Sequence, residues 1–113
     1  MNLKPLSADF SVSPQLRPED LTILAGQGVR AIINNRPDGE EAGQPGDAVM
    51  RAAAEQAGLA YAHLPVTPGQ QPAPDLVGRF SEVLGTLPGP VVAYCRSGAR
   101  SASLWTLSQA ARS

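Results

Sequence analysis

Three short apolar runs, Val29–Asn34, Leu59–Val66 and Val91–Tyr94, recur along this chain, and a stretch of helical spacing separates each from the next. Runs of this length suit strands buried on both faces, and Val29–Asn34 is rich in β-branched residues. The stretch from Asp47 to Ala57 predicts a helix, with Gly58 in the usual stop position and Val49, Met50, Ala53 and Ala57 facing the sheet. Leu76, Phe80, Val83, Leu84 and Leu87 form a second helical stripe, which Pro88-Gly89-Pro90 breaks. Upstream, Phe10-Ser11-Val12 predicts a first strand, and Pro18-Glu19-Asp20 predicts a helix start with acids in its first turn. Gly26 and Gly28 end that helix, and Gly98–Ala111 predicts the last one. Such alternation specifies an α/β fold: a small parallel sheet, mainly four-stranded, flanked by helices. Ligands of these sheets bind beyond the carboxyl ends of the strands, and Cys95 stands at such an end.

Composition narrows what the fold can serve. At 113 residues the chain suits one domain over 1–113. Apolar residues make up 42% and charged residues 17%, an ordinary globular balance. A net charge of −1 gives no reason to expect a nucleic-acid or anionic membrane surface as partner. The first ten residues lack the apolar run of a signal peptide, and no stretch approaches the roughly 18 apolar residues of a bilayer span. A cytoplasmic protein is expected. The single cysteine excludes an internal disulfide. With one His beside one Cys, no conventional four-ligand zinc site can form, and neither metal nor cofactor is expected.

The chemistry concentrates in Val91–Ser101, which reads strand, nucleophile, tight loop, helix. Ser97, Gly98 and Ala99 are small enough for successive backbone N–H groups to turn inward. Amides so arranged at a helix start form an anion site, and the same positive field favours a thiolate at Cys95. Arg100 adds a fixed fork of donors for an oxyanion. Ser101 offers a hydroxyl to the thiolate when sulfur is the leaving group. Arg96 points outward to receive an anionic substrate. The bland alternative, an inert core thiol, does not account for two arginines, a glycine and a strand-to-helix turn in one segment.

This loop resembles those of the rhodanese and tyrosine-phosphatase superclasses. The whole chain resembles the phosphatase-like domain of beta-lactamase hydrolase-like proteins, through the Cys95–Ser101 loop, Pro18-Glu19-Asp20-Leu21, Ile32–Asp38 and His63-Leu64-Pro65-Val66. The resemblance implies a dual-specificity-phosphatase-like fold. It also implies a persulfide dioxygenase of metallo-β-lactamase fold as a partner, since members occur alone or fused to one.

Two departures from the phosphatase pattern favour sulfur chemistry. Tyrosine phosphatases place five residues between Cys and Arg, whereas this chain places four, Arg96 to Ala99, as rhodaneses do. Phosphatases also carry an acidic residue in a loop after an earlier strand, and Pro65–Gln71 contains no carboxylate. Asp75 follows but suits a helix N-terminus. Tyr94 stands where phosphatases commonly have His. The expectation is therefore a sulfurtransferase moving sulfane sulfur from thiosulfate or a persulfide through a Cys95 persulfide. A cysteine-dependent phosphatase is the alternative, and a non-catalytic anion-binding module the third reading. The substrate in each case is a small sulfur or phosphate anion. Arg36 either guards the anion site or pairs with Asp38 or Glu40. Thr67 lines the pocket, while His63 and Trp105 are expected to be structural.

Overall fold

A computed structural model describes residues 1–112. Nine elements follow one another: β1 (Lys4–Ser7), β2 (Phe10–Ser13), α1 (Pro18–Gly26), β3 (Ala31–Asn34), α2 (Asp47–Gln56), β4 (Ala60–His63), α3 (Pro74–Thr86), β5 (Val91–Tyr94) and α4 (Ala99–Arg112). They form a single sheet in the order β1-β2-β5-β3-β4. β2, β5, β3 and β4 run parallel, and β1 pairs antiparallel with β2 at the edge.

The sheet thus has five strands rather than the expected four. The additional strand, β1, is mostly exposed and contains Pro5, so it lacks the apolar alternation that marks a strand. An edge position tolerates proline because one side of the strand needs no donor.

Residues 31–34 of β3 and 91–94 of β5 are buried throughout, as befits central strands covered on both faces. Their side chains alternate between two cores. Ala31, Ile33, Val91 and Ala93 join Phe10 and Val12 against Val77 and Phe80 of α3 and Leu104 of α4. Ile32, Val92 and Tyr94 face Leu21 and Leu24 of α1 and Met50 and Ala54 of α2. Phe10 anchors the first core, edge-on to Phe80 with centroids 6.0 Å apart and stacked on Trp105 at 5.9 Å.

The buried face of α2 is set by Met50 and Ala54. Val49, expected to face the sheet, is 53% exposed, because its neighbour Met50 takes the central inward position and the helix turns about 100° per residue. Among the described residues, no helix is long and apolar enough to cross a membrane.

Candidate active site

The register aligns the carboxyl ends of four strands. Ser13 of β2 and Asn34 of β3 both lie beside Tyr94 of β5, and Asn34 lies beside His63 of β4. The segments that follow are stitched together by main-chain bonds: Asn35 N–H to the Tyr94 carbonyl (2.8 Å), Gln15 N–H to the Arg96 carbonyl (3.1 Å) and Val66 N–H to the Asn35 carbonyl (2.9 Å). Cys95 is carried into the centre of this edge because β5 lies between β2 and β3.

Cys95 is fully buried. Its Sγ accepts a hydrogen bond from the Gly98 N–H at 3.1 Å. Gly98 has φ +93°, a conformation that L side chains rarely adopt, and this turn swings its amide back onto the sulfur. Burial by itself pushes the thiol pKa up. Backbone N–H groups of Ser101, Arg100, Ser97 and Gly98 oppose that effect and leave the thiol below its ordinary range. The loop therefore stabilises negative charge at sulfur before any substrate arrives.

Arg100 emerges from the first turn of α4. Its Nη1 donates to Glu40 Oε2 (2.7 Å) and to the Val66 carbonyl (2.8 Å), and Nη2 donates to Glu40 Oε1 (2.9 Å). The Glu40 carboxylate, together with the Cys95 sulfur, holds the guanidinium pKa above its usual value against the opposing pull of burial. Reciprocally, Arg100 lowers the Glu40 carboxyl to about 2; burial opposes the shift and Arg36 reinforces it. Glu40 is accordingly ionised at neutral pH.

Other residues expected at the site fall into distinct places. Arg96 and Ser97 are exposed at the loop tip, and the Ser97 hydroxyl oxygen accepts from the Ala99 N–H at 3.3 Å. The Ser101 hydroxyl donates to Asn35 Oδ1 at 2.8 Å, so its proton is engaged away from the thiolate, while its backbone N–H supports the sulfur. Arg36 does not guard an open anion site. It is 2% exposed and all three of its nitrogens are engaged: Nε with Glu40 (2.7 Å), Nη1 with Gln15 (2.9 Å) and Nη2 with Glu41 (3.1 Å). Asp38, its other expected partner, instead accepts from the Asp47 N–H at the start of α2. Thr67 is exposed and lines a small cavity with Val66, Gln70 and Leu76. His63 is partly buried, its Nε2 at 2.9 Å from the Arg36 carbonyl. Among the described residues, no group of three or more His, Cys, Asp or Glu side chains converges as metal ligands would.

Two residues at the site escaped sequence reasoning. Asn35 is fully buried and links the Ser101 hydroxyl to the Leu64 carbonyl through its side-chain amide. Glu40, expected as a loop partner of Arg36 alone, bridges Arg36 and Arg100. The available signal was position: both residues follow β3, whose end lies on the same side as Cys95.

Comparison with known proteins agrees with this geometry. The family model for the phosphatase-like domain of beta-lactamase hydrolase-like protein matches residues 2–112. The Beta-lactamase hydrolase-like protein of Xylella fastidiosa (strain Temecula1) is 37% identical over 109 residues, covering 96% of this chain and 25% of that protein. This chain thus spans about a quarter of the length of the curated relatives it matches. A candidate phosphatase from Neisseria meningitidis Z2491 has a TM-score of 0.86 at 40% identity, covering 97% of this chain and 77% of that one. The catalytic core of a PP-IP phosphatase from S. cerevisiae superposes with a TM-score of 0.67 at 15% identity over 87% of this chain and 58% of its own, a likeness of fold alone. The fold is that of the tyrosine and dual-specificity phosphatases.

These findings overturn the sulfurtransferase expectation. The likeness to a phosphatase-like family runs along the whole chain, whereas the sulfur reading rested on one residue of loop length and one missing acid. The physical reason is visible in the loop. A four-residue spacer still allows amides of Ser97, Gly98, Arg100 and Ser101 to converge on sulfur, so the spacing does not select persulfide over phosphoryl chemistry. The missing acid limits which esters can react rather than the type of reaction, because an ester whose leaving group is stable as an anion needs no proton donor.

Proposed function

This chain belongs to the family of the phosphatase-like domain of beta-lactamase hydrolase-like proteins, and we propose that it acts as a cysteine-dependent phosphatase on monoesters with stable leaving groups, such as aryl phosphates. The observation that carries this reading is the loop of amides around the buried Cys95 sulfur, with the Gly98 N–H at 3.1 Å. Donors that hold a thiolate in the free protein are placed to hold the equatorial oxygens of a phosphoryl group attached to that sulfur.

In the first step the Cys95 thiolate attacks phosphorus. An S–P bond forms, the P–O bond to the leaving group breaks, and the leaving oxygen departs with the electron pair. In the second step water attacks phosphorus and breaks the S–P bond, which returns the thiolate and releases inorganic phosphate with the proton lost to solvent. Glu40 is ionised by its two arginines and therefore has no proton to give the leaving oxygen at neutral pH. General acid catalysis contributes typically ~10²–10⁴-fold, so esters whose leaving group is stable as an anion are favoured. A cleft of about 560 Å³ beside Arg100, lined by Gln70, Gln71, Pro72, Ser103 and Thr106, suits the neutral aryl part of such an ester.

The test is hydrolysis of p-nitrophenyl phosphate beside an alkyl phosphate, with acid-quenched mass spectrometry. The wild type is expected to turn over the aryl ester preferentially and to carry a phosphate adduct on Cys95, and Cys95→Ser is expected to lose both. Turnover that survives in Cys95→Ser would refute the proposal.

A further inference from the structure

A guanidinium group has five N–H donors in a rigid plane, which permits an account of where each points. Both Nη1 protons of Arg100 are engaged, one by Glu40 Oε2 and one by the Val66 carbonyl. One Nη2 proton is engaged by Glu40 Oε1. The two that remain are the Nε proton and the second Nη2 proton. They lie parallel along one side of the guanidinium, the pair that grips two oxygens of a tetrahedral anion. Glu40 therefore holds the end of the fork and leaves its side for the Cys95 sulfur, with which Arg100 also pairs.

Glu40 is itself anchored. Arg36 Nε donates to its Oε1 at 2.7 Å, and the two Nη groups of Arg36 are held by Gln15 and Glu41. Gln15 ties back to the nucleophile loop through its N–H on the Arg96 carbonyl. The Val66 segment is pinned by its own N–H on Asn35. Arg100 is thus ordered from the segments following β3 and β4. A long side chain already fixed in its working geometry avoids the entropic cost of being ordered by the ligand.

The geometry points to Glu40 as a positioning residue that aims the Nε/Nη2 side of Arg100 at the Cys95 loop and thereby sets oxyanion affinity. This deepens the proposed function and rests on its reading of Cys95 to Arg100 as an oxyanion site. It also makes a counter-intuitive prediction. Considered as charge alone, Glu40 repels an anion, so its neutralisation should tighten binding. As a positioning group, its loss releases the fork and weakens binding.

The experiment measures tungstate affinity by calorimetry for the full chain as wild type, Glu40→Gln and Glu40→Asp, with circular dichroism to verify folding and aryl-phosphate kinetics alongside. Glu40→Gln is expected to bind tungstate at least ten-fold more weakly and to raise KM. Glu40→Asp keeps the charge but lacks the reach, and it too is expected to bind more weakly. Equal or tighter binding by folded Glu40→Gln would overturn the inference. Should Glu40→Gln fail to fold, wild-type affinity in Glu40→Asp would do the same. Wild-type protein that binds no tungstate would instead remove the oxyanion-site reading on which the inference stands.

Discussion

Replacing Gly98 with alanine tests the nucleophile loop at its tightest point. The residue has φ +93°, and a Cβ built there would lie 3.4 Å from the backbone carbon and oxygen of Ser13. A side chain in that backbone region costs roughly 1–3 kcal/mol, and the neighbour is main chain that cannot rotate aside. For a chain of this size each kcal/mol lowers Tm by about 4 °C, so a fall of about 4–12 °C is expected. The second consequence is chemical. Relaxing the strain rotates the Gly98 N–H away from Cys95 Sγ, which it now meets at 3.1 Å. A hydrogen bond to a charged group contributes about 1.5–3 kcal/mol, so the thiolate-to-thiol ratio should drop roughly ten- to hundred-fold. The chain has a single cysteine, which makes thiolate ultraviolet absorbance against pH a direct readout. Thermal unfolding supplies the stability half. A Gly98→Ala protein that titrates its thiol as the wild type does would refute the role given to this amide. Unchanged Tm would refute the argument from backbone strain.

Further outcomes follow from the same contacts. The Glu40 carboxyl lies at about 2, below its ordinary 4.5, so its contribution is present at neutral pH and is lost as pH falls from about 5 toward about 2. At 1.36 kcal/mol per pKa unit this amounts to about 3 kcal/mol, and urea titrations should show wild type losing that much relative to Glu40→Gln across this window; parallel acid profiles would contradict it. Asn35→Ala strips the Ser101 hydroxyl and the Leu64 carbonyl of their buried partner, and should cost roughly 2–5 kcal/mol in denaturant unfolding. A loss under about 1 kcal/mol would mean that water replaces the amide at both atoms.

The amino-acid sequence determines this protein's framework because the relevant signals are local. Short buried runs between helical stripes dictate a parallel sheet, and the boundaries of β5 and α4 follow from the change of period at Cys95. The amide loop is likewise legible, since the Gly98 N–H and the Cys95 sulfur are three residues apart and the small residues Ser97 and Gly98 lead into α4. Edge strand β1 was hidden because its exposure leaves no apolar pattern, and Val49 was misplaced because α2 turns on Met50 and Ala54. What only the tertiary structure decided are the contacts that complete the site. Glu40 meets Arg100 across 60 residues, and Asn35 meets Ser101 across 66. Neither pairing has a sequence period. Both exist because β5 inserts beside β3, which brings the loop after one strand against the helix after the other, and no local propensity encodes that strand order.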